Sequence, residues 1–161
     1  MLRAFILSRL DYCNSLLAGC PLYLLSKLQK AQNNAARLIF RTTRSAHVTP
    51  VLHSLHWLPI EQRIEYKLSL LCFKIIFHQA PICLSELLHL YSPSQQLGSS
   101  TDTQVFRISS FQTKSCGQCS FSCQAPVIWN QLPVYVCHST SVSSLISSLK
   151  TFPLLKTFSS V

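Results

Sequence analysis

From Ile60 to about Gln79 the chain has a helical period yet is apolar nearly all round, through Ile64, Leu68, Leu70, Leu71, Phe73, Ile75, Ile76 and Phe77. A helix of that kind belongs inside a core, covered by other elements. What polarity it keeps is concentrated. At about 100° per residue, Arg63, Lys67, Lys74 and His78 fall within about 60° of one another and make one narrow basic stripe. Either these cations snorkel out of a core, or the stripe faces an anionic partner.

Residues 1–91 read as a helical bundle around this element. A first helix spans Leu2 to Leu17, apolar at Phe5, Ile6, Leu10, Leu16 and Leu17, with Gly19 and Pro21 stopping it. A second runs from about Leu22 to Phe40. Its wheel places Leu24, Leu25, Leu28, Ala31, Ala35, Ala36, Leu38 and Ile39 on one arc and Lys30, Asn33, Asn34, Arg37 and Arg41 opposite. Gln32 and Phe40 break that partition. Thr49-Pro50 reads as an N-cap with proline at the first helical position, opening a short helix through Trp57 that Pro59 ends. Pro81 closes the apolar helix, and a short turn of helix covers Leu84 to Leu90.

The fold class expected is mainly α, with the helical part followed by a less regular C-terminal segment. Residues 92–103 read as a linker, since 92–100 are rich in Ser, Gln, Pro and Gly, and 104–161 form the second part. Val105 to Ser109 alternates like a short strand. Pro126 to Gln131 suggests a helical turn, and a terminal helix runs from Ser141 to about Thr151, limited by Pro153.

Composition narrows the function classes. At 161 residues the chain is about one domain. Its 48% hydrophobic content excludes disorder, and its 12% charged content is about half that of an ordinary domain. The only acids are Asp11, Glu61, Glu65, Glu86 and Asp102, too few to point to acid–base chemistry on paired carboxylates. Three glycines leave no material for a glycine-rich phosphate loop. The net charge of +9, with His neutral, makes a polyanion the default partner. Ten cations against four acids give residues 1–91 a net +6, and four against one give 92–161 a net +3.

The first residues do not read as a signal peptide, since the apolar run Ala4-Phe5-Ile6-Leu7 ends at Ser8-Arg9. No run of 18 apolar residues exists, so no membrane partner is expected, and the location expected is intracellular, in cytoplasm or nucleus. The eight cysteines then read as reduced thiols, with Cys13, Cys72 and Cys83 as small buried hydrophobes.

Three constellations remain. Lys30, Asn33, Arg37 and Arg41 on one helix, with Arg63, Lys67 and Lys74 on another, suit contact with a nucleic-acid backbone: cations for phosphate, amides for sugar or base edges. For the first group a solvated surface face is the commoner explanation. Cys116, Cys119 and Cys123, with Cys137 and His138 downstream, hint at zinc but lack a second ligand pair at fixed spacing. No metal, cofactor or catalytic residue is assigned. His53 and His56 lie three apart near His47 and Trp57, where packed or solvent-facing histidines are the common case. Trp57 and Trp129 read as core anchors.

Four separate motifs, in order, carry a resemblance over essentially the whole chain. They are Ser8-Arg9-Leu10-Asp11-Tyr12-Cys13-Asn14-Ser15-Leu16-Leu17-Ala18-Gly19; Leu28-Gln29-Lys30-x-Gln32-Asn33-x-Ala35-Ala36-Arg37-Leu38; His56-Trp57-Leu58-Pro59-Ile60-x-x-Arg63-Ile64-x-x-Lys67-Leu68; and Phe121-Ser122-x-x-Ala125-Pro126-x-x-Trp129-Asn130-x-Leu132-Pro133. Together they resemble the C-terminal region of LINE-type (non-LTR) retrotransposon reverse transcriptases. The resemblance implies a post-polymerase helical segment that helps hold template RNA or target DNA. It also implies that the catalytic aspartates and the endonuclease lie upstream, so that the chain is a truncated element without catalysis of its own. The chain has no Asp-Asp pair. It departs from the family pattern at Gly117-Gln118-Cys119, where Gly-x-Arg is typical, at Cys137, where Arg is typical, and at Ile146-Ser147, where Phe-Lys is typical. Those cysteines then read as eroded arginines. The alternatives are a relic that does not fold alone and a zinc- or thiol-dependent module.

Overall fold

The computed structural model describes residues 2–91, 105–108 and 120–158. These are mainly helical, in the order α1 (Leu2–Asp11), a 3-10 turn (Asn14–Leu17), α2 (Leu22–Phe40), α3 (Thr49–Ser54), α4 (Ile60–Ile76), α5 (Ile82–Ser85), α6 (Phe121–Asn130), α7 (Val134–Cys137) and α8 (Val142–Phe158). Residues 92–103, read as the linker, lie outside the described residues, as do Cys116 and Cys119.

The all-round apolar helix sits at the centre. α4 buries Ile60, Ile64, Leu68, Ser69, Cys72, Phe73 and Ile75, and it packs against α2, α6, α8 and the 3-10 turn. Leu88, Phe106, Ala125, Trp129, Val136, Leu145 and Leu149 complete this core. Residues on both sides of 92–103 therefore share one apolar interior. Ser69 is tolerated there because its hydroxyl donates to the Glu65 carbonyl one turn back, at 2.7 Å.

A second, smaller core joins Ala35 and Ala36 of α2 to Val51 and Leu52 of α3, Leu55 and Trp57, with Ile6 and Leu7 of α1 against them. Two alanines in succession let α3 approach the α2 backbone closely. Gln29 and Gln32 link the two cores. The Gln32 side chain is fully buried and donates to the Leu58 carbonyl at 2.9 Å. Gln29 Oε1 accepts from the Ile60 N–H at 2.9 Å, which satisfies one of the free amides that begin α4.

Several sequence expectations change here. The first helix does not reach Leu17: Cys13 is left-handed at φ 51°, so α1 stops and the turn carries Asn14 and Ala18 inward. The inward arc of α2 centres on Gln32, and Leu24 and Leu38, expected inside, are exposed. A hydrogen-bonding side chain wins the central place because two backbone groups of the 58–60 segment need partners. α3 begins at Thr49 with Val48, not Thr49, before it, and no side chain caps it. The segment predicted as a strand contributes one antiparallel bridge, Leu90 to Phe106. The Asn130 amide takes the place of a further neighbour, donating to the Phe106 carbonyl at 2.9 Å and accepting from its N–H at 3.0 Å. α6 starts at Phe121 and carries Pro126 within it, buried with Ala125 and Trp129. Packing overrides the proline's preference for a first turn. α8 continues past Pro153 to Phe158.

Candidate nucleic-acid interface

Three helices end the same way. At the end of α2 the Arg41 N–H bonds the Leu38 carbonyl and the Thr42 N–H bonds the Arg37 carbonyl. The same pair of bonds recurs at His56 after α3 and at His78 after α4. This is the Schellman arrangement, whose left-handed residue is usually glycine. Here it is Arg41 (φ 51°), His56 (φ 53°) and His78 (φ 54°). In a chain with three glycines the role falls to side chains whose positive charge, constant in Arg and acquired by His on protonation, complements the negative end of a helix.

The reversal at Arg41 turns the chain back on α2. Arg37, Arg41 and Arg44 then line one cleft with Asn34, Leu38 and Thr42. Arg37 is half-buried and donates through Nη2 to the Ala46 carbonyl at 3.3 Å, tying the following loop to the helix. Its Nε and the Thr42 hydroxyl are buried with no hydrogen-bond partner among the described residues. No carboxylate lines the cleft. Arg44 was missed by sequence reasoning because it lies beyond the helix, where a wheel has no meaning.

Arg63 behaves differently. It makes a two-bond ion pair with Asp11, with Nε to Oδ1 at 2.8 Å and Nη2 to Oδ2 at 2.5 Å. The break at Cys13 sets Asp11 at the end of α1, where it meets the first turn of α4. The Asp11 side chain is 48% exposed and that of Arg63 14% exposed, so screening limits this pair to roughly 1 kcal/mol. Lys67, His56, Tyr66 and Asn14 line the cleft beside it. Burial raises the Tyr66 phenol above its ordinary range.

The other predicted residues scatter. Lys30 is exposed on α2 and Lys74 is half-buried on α4, and neither lines the two clefts above. Asn33 is half-buried and its Oδ1 accepts from Gln29 Nε2 at 2.8 Å, which enlists it in the α2–α4 contact. The seven residues thus divide between two clefts, an internal amide network and two separate positions.

The cysteines also divide. Cys13 and Cys83, expected to be buried, are exposed, while Cys72 is fully buried. Cys72 Sγ donates to the Ala125 carbonyl at 3.6 Å and Cys137 Sγ to the Trp129 carbonyl at 4.0 Å. Burial pushes the Cys72 thiol far above its usual range, with neighbouring Cys137 adding to the effect, and burial raises Cys137 as well. Both are held protonated, the opposite of an activated nucleophile. Among the described residues no three His, Cys, Asp or Glu side chains gather as a metal site, and no helix is long and apolar enough to cross a membrane.

No family model, no curated protein and no solved structure matches the chain.

Proposed function

We propose that this chain is a non-catalytic C-terminal fragment of a LINE-type reverse transcriptase polyprotein that binds the RNA or DNA backbone without sequence preference, inside the cell. The observation that carries this reading is the gathering of Arg37, Arg41 and Arg44 around a cleft that no carboxylate lines. Arginines without acidic neighbours are a phosphate-binding arrangement, because the guanidinium plane offers paired donors to two oxygens. Lys30, Lys67 and Lys74 add point charges elsewhere on α2 and α4, and Asn33 and Arg63 act by holding α2 and α4 in place.

The motif residues support the family assignment in a second way. Asp11 meets Arg63, Gln29 and Gln32 meet Leu58 and Ile60, and Ala35 and Ala36 share a core with Trp57. Residues from three separate motifs serve one another, as expected when spacing is set by a fold.

Fluorescence anisotropy with labelled single-stranded RNA and DNA of unrelated sequence tests the proposal. The expected result is similar affinity for all of them, with log K falling linearly in log salt. Absence of binding at low salt overturns it.

A second reading has its own observation. Phe5, Tyr12, Leu16, Leu22, Tyr23 and Ile82 are each more than 60% exposed. Exposed apolar side chains in that number suit either a chain whose α1 side packs on an upstream polymerase domain or a relic that aggregates alone. Cooperative thermal unfolding of the isolated chain decides against the relic.

A further inference from the structure

We propose that the cleft at the end of α2, lined by Arg37, Arg41, Thr42 and Arg44, is a dedicated site for one backbone phosphate of a single-stranded nucleic acid. This deepens the backbone-binding reading and rests on it. Three guanidiniums within eight residues are drawn to one recess by the left-handed turn at Arg41. A non-glycine residue in that conformation costs about 1–2 kcal/mol, and a strained residue beside a charged cleft is where a ligand contact offsets the strain.

Two donors on residues that line the recess, both buried beneath its surface, are not used by the protein. Arg37 is fixed by its bond to the Ala46 carbonyl, yet its buried Nε lacks an acceptor, and so does the buried Thr42 hydroxyl. Buried polar atoms without partners are rare in native interiors. In the proposed site a tetrahedral oxyanion held by Arg41 and Arg44 becomes the acceptor that these two groups lack, once the side chains covering them move aside. The negative end of α2 opposes an anion here. That opposition is weakened because the Arg37 and Leu38 carbonyls are already bonded by the Thr42 and Arg41 N–H groups. Leu38, 67% exposed on the cleft wall, offers an apolar contact to a sugar or base, which favours a nucleotide over an isolated ion.

The test uses the full chain and two probes. In thermal unfolding with inorganic phosphate, against chloride at matched ionic strength, the wild-type Tm rises saturably. Arg44→Ala and Thr42→Val abolish that rise, and Lys27→Ala, a charge-matched change elsewhere on α2, keeps it. With a labelled single-stranded oligonucleotide, Arg44→Ala weakens binding about tenfold and makes the salt slope shallower by about 1. Arg41→Gly weakens binding while raising Tm, which a merely structural arginine would not do. Equal phosphate stabilisation of wild type and Arg44→Ala, or none in wild type, overturns the site, and retained oligonucleotide binding then leaves the broader reading intact. A phosphate effect without oligonucleotide binding overturns the nucleic-acid assignment. Preferential binding to phosphatidylserine vesicles overturns it too.

Discussion

The two cores each hold one buried tryptophan, and the resemblance ends there. Trp129 sits against Phe106 edge-on, with ring centroids 6.2 Å apart, in a core drawn from α4, α6, α8 and the segment around Leu88. Trp57 sits among two alanines and a few aliphatic residues of α2 and α3, and its indole N–H has no partner among the described residues. The larger core is closed by residues far apart in sequence, whereas the smaller is mostly local. The arginine-lined cleft stands at the edge of the smaller one, since Arg37 follows Ala36 directly. A thin, mostly local core is the part of a molecule that opens at the lowest free-energy cost.

The largest expected effect comes from emptying the larger core. Trp129→Ala should cost about 3–5 kcal/mol, against about 2 kcal/mol for Leu52→Ala in the smaller one. Labelling of the Cys72 thiol reports which core opens. Trp129→Ala should expose it, and Leu52→Ala should leave it protected. Equal labelling in both variants would mean a single cooperative unit.

The link between the cores comes next. Gln32→Ala leaves the Leu58 carbonyl unpaired and should cost about 1–3 kcal/mol. Denaturant unfolding should then broaden or split, because one of the two glutamine ties between the cores is lost and only Gln29 remains bonded to Ile60. A sharp transition with unchanged slope would show that apolar contact alone couples the two.

The smallest effect tests the helix ends. His78→Gly, at the larger core, and His56→Gly, at the smaller, should each raise stability by about 1 kcal/mol by relieving a left-handed conformation. Calorimetry of the two variants beside the wild type measures both gains. Unequal gains would show that the surrounding packing, not the backbone, sets the strain.

Much of the fold was legible in sequence. α2 begins and ends at the residues its periodicity and flanking Pro21 marked, and α4 is as central as its apolar surface required. Other features depend on partners distant in sequence. Gln32 looked like a defect in the α2 wheel, since nothing local announces the Leu58 carbonyl it serves. Arg63 looked equivalent to Lys67, because its partner Asp11 lies 52 residues earlier on another helix. Cys13 and Arg41 lacked the glycine that would have signalled a left-handed turn.

The sequence by itself determined the helical class, the central place of α4 and the scarcity of carboxylates, because periodicity and composition are properties of the chain. Only the tertiary structure decided which arginines are occupied and which are open. That depends on what folding sets beside each guanidinium: Asp11 beside Arg63, the Ala46 carbonyl beside Arg37, and a cleft without carboxylates beside Arg41 and Arg44.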